Sequence, residues 1–193
     1  MVKRIVIFAS GSGSNAANII QHFESNDQVQ VVGICCNNSN AGVLNIAARN
    51  GVASHVFNKS ELETTDVVDE ILIKASPDLI VLAGFLLKFP NRLVHRYDGQ
   101  VINLHPSLLP KFGGKGMYGT HVHKAVLQAG ELESGITVHF VNDEYDDGAI
   151  IAQFSCELVD EETPASLQLK IKALEEMHFP TTVEKVLFKE FAH

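Results

Sequence analysis

Lys3-Arg4-Ile5-Val6-Ile7-Phe8-Ala9-Ser10-Gly11-Ser12-Gly13-Ser14-Asn15-Ala16 is the stretch on which the fold turns. Lys3–Ala9 is an apolar run of strand length. It breaks at a glycine-rich turn, and helical spacing of apolar residues follows over about 14–24. The alternation continues along the chain. Val29–Cys36 reads as a second strand, 41–50 as a helix with Gly51 as its stop, and 53–57 as a short third strand. Ser60 with Glu63 makes a capping box for a helix over 60–75, which Pro77 ends. Residues 79–83 are apolar throughout, as in a strand buried on both faces of a parallel sheet. A short helix is expected after Pro90 and a strand at 100–104. Strands alternating with helices predict an α/β sheet with right-handed crossovers.

The pattern changes after Pro106. Residues 135–141 alternate with period two, with Ile136, Val138 and Phe140 on one face and Thr137 and His139 on the other. A strand at 149–154 follows a seven-residue loop, which predicts an antiparallel excursion, and a long helix starts at about Pro164. The fold class expected is therefore α/β, a mostly parallel Rossmann-like sheet with an antiparallel C-terminal part. No linker or repeat divides residues 1–193. They read as one domain, with a phosphate-binding half (1–100) and a half that completes the site (101–193).

The chain has 193 residues, 46% hydrophobic and 20% charged, enough for a packed core and unlike a disordered chain. Fifteen Lys and Arg against 23 Asp and Glu leave a net charge of −8, which disfavours nonspecific binding to nucleic acid or an anionic membrane. The longest near-apolar run, 79–87, falls well short of the ~20 residues that span a bilayer. Cys35, Cys36 and Cys156 are odd in number and lack CxxC spacing, so neither a disulfide framework nor a zinc site is expected. A reducing, cytoplasmic compartment fits them. Cys35 and Cys36 are expected to place one side chain on each face of their strand, and Asp66, Asp69 and Glu70 to form a solvated helix face.

Gly11, Gly13 and Ala16 match G-x-G-x-x-A. Glycines let a phosphate approach the backbone, the next helix offers free N–H groups, and Ser12, Ser14 and Asn15 add donors. A plain capped turn is the alternative. A dinucleotide would call for an acid at the end of the second strand. That strand ends Cys36-Asn37-Asn38-Ser39, which favours a monophosphate.

Asn103-Leu104-His105-Pro106-Ser107-Leu108-Leu109-Pro110 lies at the end of a buried strand, where open α/β sheets bind ligands. Asn103 and His105 share a face of that strand. Asp143-Glu144-Tyr145-Asp146-Asp147 carries four acids in five positions without the frame of an EF-hand. A carboxylate from this loop beside His105 and the Asn103 amide would supply the parts for acyl transfer to an amine. His121-x-His123 resembles a metal pair, but positions i and i+2 point apart on a helix, so no metal is expected.

These motifs, together with Leu-Ala-Gly-Phe (82–85), Gly-Ile-Thr-Val-His-Phe-Val (135–141), Asp-Gly-Ala-Ile-Ile-Ala-Gln (147–153) and Leu-Glu-Glu-Met-His-Phe-Pro (174–180), resemble the phosphoribosylglycinamide formyltransferase family nearly end to end. The resemblance implies transfer of formyl from the co-substrate 10-formyltetrahydrofolate to the amine of glycinamide ribonucleotide in purine synthesis. The amine attacks directly, through a tetrahedral intermediate. It implies that Asn103 binds the formyl oxygen, that His105 as imidazolium stabilises the oxyanion, and that Asp146 raises the His105 pKa and relays a proton through water. It further places phosphate on Gly13, Ser14 and Asn15, the ribose hydroxyls on Glu175, and a supporting role on His139. The pterin falls to Leu82, Phe85, Leu86, Leu87, Lys88, Phe89, Val94 and Val101 with the loop from Asp143 to Asp147.

The chain departs from the family at Leu87, where a basic residue is common, at Asp147, where glycine is common, and at Glu175-Glu176. Its 111–119 segment is also longer than usual. Four glycines in 113–119 make that segment either a lid or a loose surface loop. Partners expected are small molecules only, with the chain a monomer or homodimer. A formyl-folate hydrolase and a nucleotide-binding sensor are the rival functions.

Overall fold

The computed structural model describes residues 1–190. Among them, one sheet of seven strands runs through the molecule: β1 (Lys3–Ala9), β2 (Val29–Cys36), β3 (Ser54–Val56), β4 (Leu79–Leu82), β5 (Val101–His105), β6 (Glu133–Phe140) and β7 (Ile150–Glu157). Their spatial order is β3-β2-β1-β4-β5-β6-β7. The first five are parallel to one another, β6 is antiparallel to β5, and β7 is antiparallel to β6. The expected fold class holds. The chain moves outward one way through β2 and β3, then returns to the other side of β1 with β4. That reversal opens a crevice at the carboxyl ends of β1 and β4.

Period-two alternation divides each central strand between two apolar layers. Ile5, Ile7 and Ala9 face one layer, with α1 (Ser14–His22), α2 (Val43–Arg49), α6 (Thr120–Gln128) and α7 (Pro164–Phe188) supplying Ala16, Val43, Val122, Ile171 and Phe179. Val6 and Phe8 face the other, with α3 (Lys59–Thr64), α4 (Val67–Ala75) and α5 (Asn91–Arg96) supplying Leu62, Leu72 and Leu93. Cys36 goes to the first layer and Cys35 to the second, as the alternation predicts.

Phe8 meets Phe85 and Phe89 edge-on, at centroid distances of 5.3 and 5.2 Å. Each such pair contributes ~0.5–1.5 kcal/mol beyond its buried area. The segment after β4 is thereby pinned over the carboxyl end of β1. Ser10 adds to this: its N–H donates to the Gly84 carbonyl, and its hydroxyl accepts from the Leu86 N–H.

Several local expectations are corrected. The capping box is Asn58 with Glu61, two residues earlier than Ser60 with Glu63, because the Asn58 side chain accepts from the Glu61 N–H and the Glu61 carboxylate accepts from the Asn58 N–H. The helix expected over 60–75 is two, because Thr65 adopts an extended backbone between α3 and α4. Asp69 is buried rather than solvated. Its carboxylate accepts from Arg92 Nε and Nη2 at 3.0 and 2.8 Å and from Arg96 Nη1 at 3.2 Å, tying α4 to α5. Both faces of β6 are covered, because the 107–110 segment lies over Thr137, whose hydroxyl donates to the Ser107 carbonyl and accepts from the Leu109 N–H. No helix among the described residues is long and apolar enough to cross a membrane.

Candidate active site

The carboxyl ends of β1, β4 and β5 open into a cavity of about 940 Å³. One end of it is polar. The glycine turn enters α1 through Gly13, whose backbone is left-handed (φ 82°). A Cβ there would stand 2.7 Å from the Val43 backbone, so only glycine lets the turn close against α2. The helix has no side-chain cap and no acid in its first turn, which leaves its first N–H groups available to an anion. Ser12, Ser14 and Asn15 line the wall here.

Opposite them stands Glu175 on α7, whose carboxylate accepts from Asn15 Nδ2 at 2.9 Å. Burial pushes the Glu175 carboxyl above its usual range, and the Asn15 hydrogen bond offsets only part of that. The free site therefore holds a carboxylate short of hydrogen-bond donors.

At the centre, β5 presents Asn103 and His105 on one face, β6 presents His139, and the loop before β7 brings Asp146. His105 Nδ1 lies 3.4 Å from Asp146 Oδ2, and His139 Nε2 lies 3.6 Å from Asp146 Oδ1. Asn103 Nδ2 is 3.1 Å from His139 Nε2 and 3.3 Å from Asp146 Oδ1. His139 Nδ1 donates to the Phe140 carbonyl, so Nε2 is the nitrogen turned toward Asn103 and Asp146. The bond to Asn103 orients the amide.

The 111–119 segment closes over the same centre. His105 Nε2 donates to the Phe112 carbonyl at 2.8 Å, and the Gly114 N–H donates to Asp146 Oδ2 at 2.8 Å. Residues 114–119 then form part of the cavity wall.

Charge at the centre follows from burial. Desolvation lowers the His105 pKa below 6.5, and it outweighs the upward pull of Asp146 and of the Phe112 carbonyl. For Asp146, burial acts upward, but His139, His105 and the Gly114 N–H together bring it below its usual value. The resting state at neutral pH is an ionised Asp146 beside a neutral His105 that carries its proton on Nε2. The family resemblance implies an imidazolium at His105 during the reaction; in the free site Asp146 pulls toward that form and burial pulls against it.

The apolar end of the cavity is formed by Leu82 and the segment Phe85, Leu86, Leu87, Lys88 and Phe89, faced by Val141 and Tyr145. Lys88 Nζ lies 5.8 Å from the Tyr145 ring centroid. Five expected residues are not on the wall. Gly13 lies beneath its turn. Val94 and Val101 are 6% and 2% exposed within the second core layer, where strand and helix periodicity direct them inward. Asp143 pairs outward with His95 at 3.0 Å, and Asp147 accepts from Asn142.

Ile46, Gln168, Ile171 and Lys172 also line the wall without a motif to mark them, and so does His123, which the sequence offers only as half of a metal-like pair. Gln168, Ile171, Lys172 and Glu175 are spaced i, i+3, i+4, i+7, one face of α7, so three of them were legible once Glu175 was suspected. Among the described residues, no group of three or more His, Cys, Asp or Glu is placed to hold a metal ion.

Comparison with known proteins agrees with this architecture. Residues 3–183 match the family model described as formyl transferase. A chloroplastic phosphoribosylglycinamide formyltransferase of Arabidopsis thaliana is 38% identical over 175 residues, covering 88% of this chain and 60% of the relative. The chain thus spans about 60% of the length of that curated relative. The trifunctional purine biosynthetic protein adenosine-3 of Drosophila melanogaster is 36% identical over 92% of this chain, which spans 13% of that protein. The solved structure of glycinamide ribonucleotide transformylase 1 from Geobacillus kaustophilus superposes with a TM-score of 0.88 at 32% identity, covering 97% of this chain and 100% of that one. The chain belongs to the formyl transferase family.

Proposed function

We propose that the protein transfers the formyl group of 10-formyltetrahydrofolate to the primary amine of glycinamide ribonucleotide, in the cytoplasm and without a metal. The observation that carries this reading is the joint placement of Asn103, His105, His139 and Asp146 between a polar anion-ready end and an apolar end of one cavity. The family and the names of the relatives support it.

In this reading the ribonucleotide phosphate sits on the turn from Gly13 to Asn15, and Glu175 accepts two hydrogen bonds from the ribose diol. The pterin lies against Leu82 and the segment from Phe85 to Phe89, a wall suited to a flat heteroaromatic ring. The Asn103 amide keeps its bond to His139 and turns the N–H it gives Asp146 Oδ1 in the free site toward the formyl oxygen, a bond that gains strength as that oxygen becomes an oxyanion. The amine nitrogen forms the new bond to the formyl carbon. His105 Nδ1, free in the resting state, takes the proton the amine loses. Asp146 stabilises the imidazolium so formed, and His105 returns the proton to the departing folate nitrogen as the old C–N bond breaks. The 111–119 segment holds the far side of both groups.

The test is an absorbance assay of folate deformylation with glycinamide ribonucleotide present and absent. Turnover that requires the amine and yields its formyl derivative supports the transferase. Turnover without it indicates a hydrolase, and binding without turnover a sensor.

A further inference from the structure

The reaction scheme leaves one buried polar side chain of the cavity wall unused. His123, in the first turns of α6, is 3% exposed. Its Nδ1 is fully buried without a hydrogen-bond partner, and among the described residues no partner stands at Nε2 either. Buried polar atoms are almost always satisfied, and leaving one unsatisfied costs ~1–3 kcal/mol, so an orphaned imidazole in a ligand cavity is best explained by the ligand. The other member of the pair, His121, points to solvent and meets the Tyr118 ring at 5.5 Å, which rules out a shared metal.

The fold decides which end of the cavity this ring serves. Val122 and Val126 on the same helix pack into the layer that holds α1, α2 and α7. That layer carries Ser14, Asn15 and Glu175. The apolar segment from Phe85 to Phe89 is anchored in the opposite layer. His123 therefore belongs to the polar end. The wall there carries Glu175, already engaged by Asn15, and Lys172 on the same face of α7, while the glycine turn offers an anion N–H and hydroxyl groups. An imidazole can donate to an anionic oxygen from a site too dry for a lysine.

We infer that His123 is a substrate ligand, its imidazole hydrogen-bonding the ribose-phosphate group of the nucleotide substrate. This inference rests on the function proposed above. It separates the two tasks of the cavity: His123 holds the sugar phosphate and takes no part in proton transfer, which stays with His105. Burial lowers the pKa of the free His123 ring, consistent with a neutral imidazole that waits for its partner.

The experiment is calorimetric binding of ribose 5-phosphate and of glycinamide ribonucleotide to the wild-type protein and to His123→Ala, His123→Gln and His123→Phe, with steady-state kinetics on each. The expected result is a loss of affinity of about 10-fold or more for both ligands in the Ala and Phe variants, a matching rise in KM for the ribonucleotide with kcat little changed, and partial recovery in Gln, which keeps a donor. Circular dichroism and the KM for the folate check that each variant is folded, and Phe, which refills the volume, covers the case where Ala does not fold. Unchanged affinity in folded Phe or Ala variants overturns the inference. So does a fall in kcat with KM unaltered. Failure of the proposed function has a different signature: a wild-type protein that neither binds nor formylates the ribonucleotide.

Discussion

His105 Nδ1 and Asp146 Oδ2 stand 3.4 Å apart with their side chains 4% and 11% exposed, and each is also bonded to the 111–119 segment, His105 to the Phe112 carbonyl and Asp146 to the Gly114 N–H. Two acceptors thus face one another in the resting site. A single proton placed between them converts a repulsive contact into a charge-assisted one.

The sign of the pH dependence follows. Proton acceptance by His105 needs a neutral ring, so kcat/KM should fall as pH drops through a limb lying below 6.5. Asp146 raises the His105 pKa. Asp146→Asn should therefore move that limb to lower pH, and it should cut turnover by roughly 10²–10⁴ by removing the charge that stabilises the imidazolium. A pH–rate profile of both proteins checks this; a limb that moves upward in the variant contradicts the assignment.

Asn103→Ala removes the donor aimed at the formyl oxygen. The expected cost is about 10²–10³ in kcat, with ribonucleotide affinity nearly intact. His139→Ala frees the amide that His139 orients and should show the same pattern more weakly, by about 10-fold, since the donor itself remains. Single-turnover kinetics separate the two effects from product release.

Glu175 is a half-buried carboxylate whose pKa is raised by burial. A raised carboxyl favours folding less when ionised, so the free protein should gain stability as pH falls from the folded pKa toward the unfolded one. Glu175→Gln should raise the Tm of the ligand-free protein at neutral pH. It should also weaken ribonucleotide binding by about 10–100-fold, through loss of hydrogen bonds to a charged acceptor. Thermal melts with and without ligand read both signs at once.

Gly113 couples the segment to the catalytic loop. A Cβ there would lie 2.6 Å from Leu109 Cδ2 and 3.2 Å from Asp146 Cβ. Gly113→Ala should displace Asp146 and reduce kcat by about 10-fold or more, since small misplacements of reacting groups are costly. Gly116→Ala has open space around it and only the backbone strain of its positive φ of 90°, so its effect should be on stability, at ~1–3 kcal/mol. Equal kcat losses in both variants would mean that the segment acts through its flexibility alone.

Much of the molecule is legible in its sequence. Hydrophobic period is a local property, so β1, β2, the glycine turn and α7 lie where the residue pattern puts them, and the absence of an acid after Cys36 spoke against a dinucleotide. Val94 and Val101 show the limit of position-by-position transfer: each sits near the site in sequence, and each is turned into the core by the periodicity of its own element. The break at Thr65 and the capping by Asn58 rather than Ser60 show a second limit, since several residues in a short window can cap and neighbouring contacts choose among them.

Sequence by itself determined the alternation of strands and helices, the two apolar layers that alternation implies, and the identities of the groups able to bind phosphate and move a proton. Tertiary structure alone decided the downward shift of the His105 pKa, the burial of Asp69 and the place of His123 on the cavity wall. The reason is physical. Local pattern depends on neighbours along the chain, whereas desolvation and hydrogen-bond satisfaction depend on atoms brought close from distant segments, here Phe112, Gly114 and Asp146 around one imidazole.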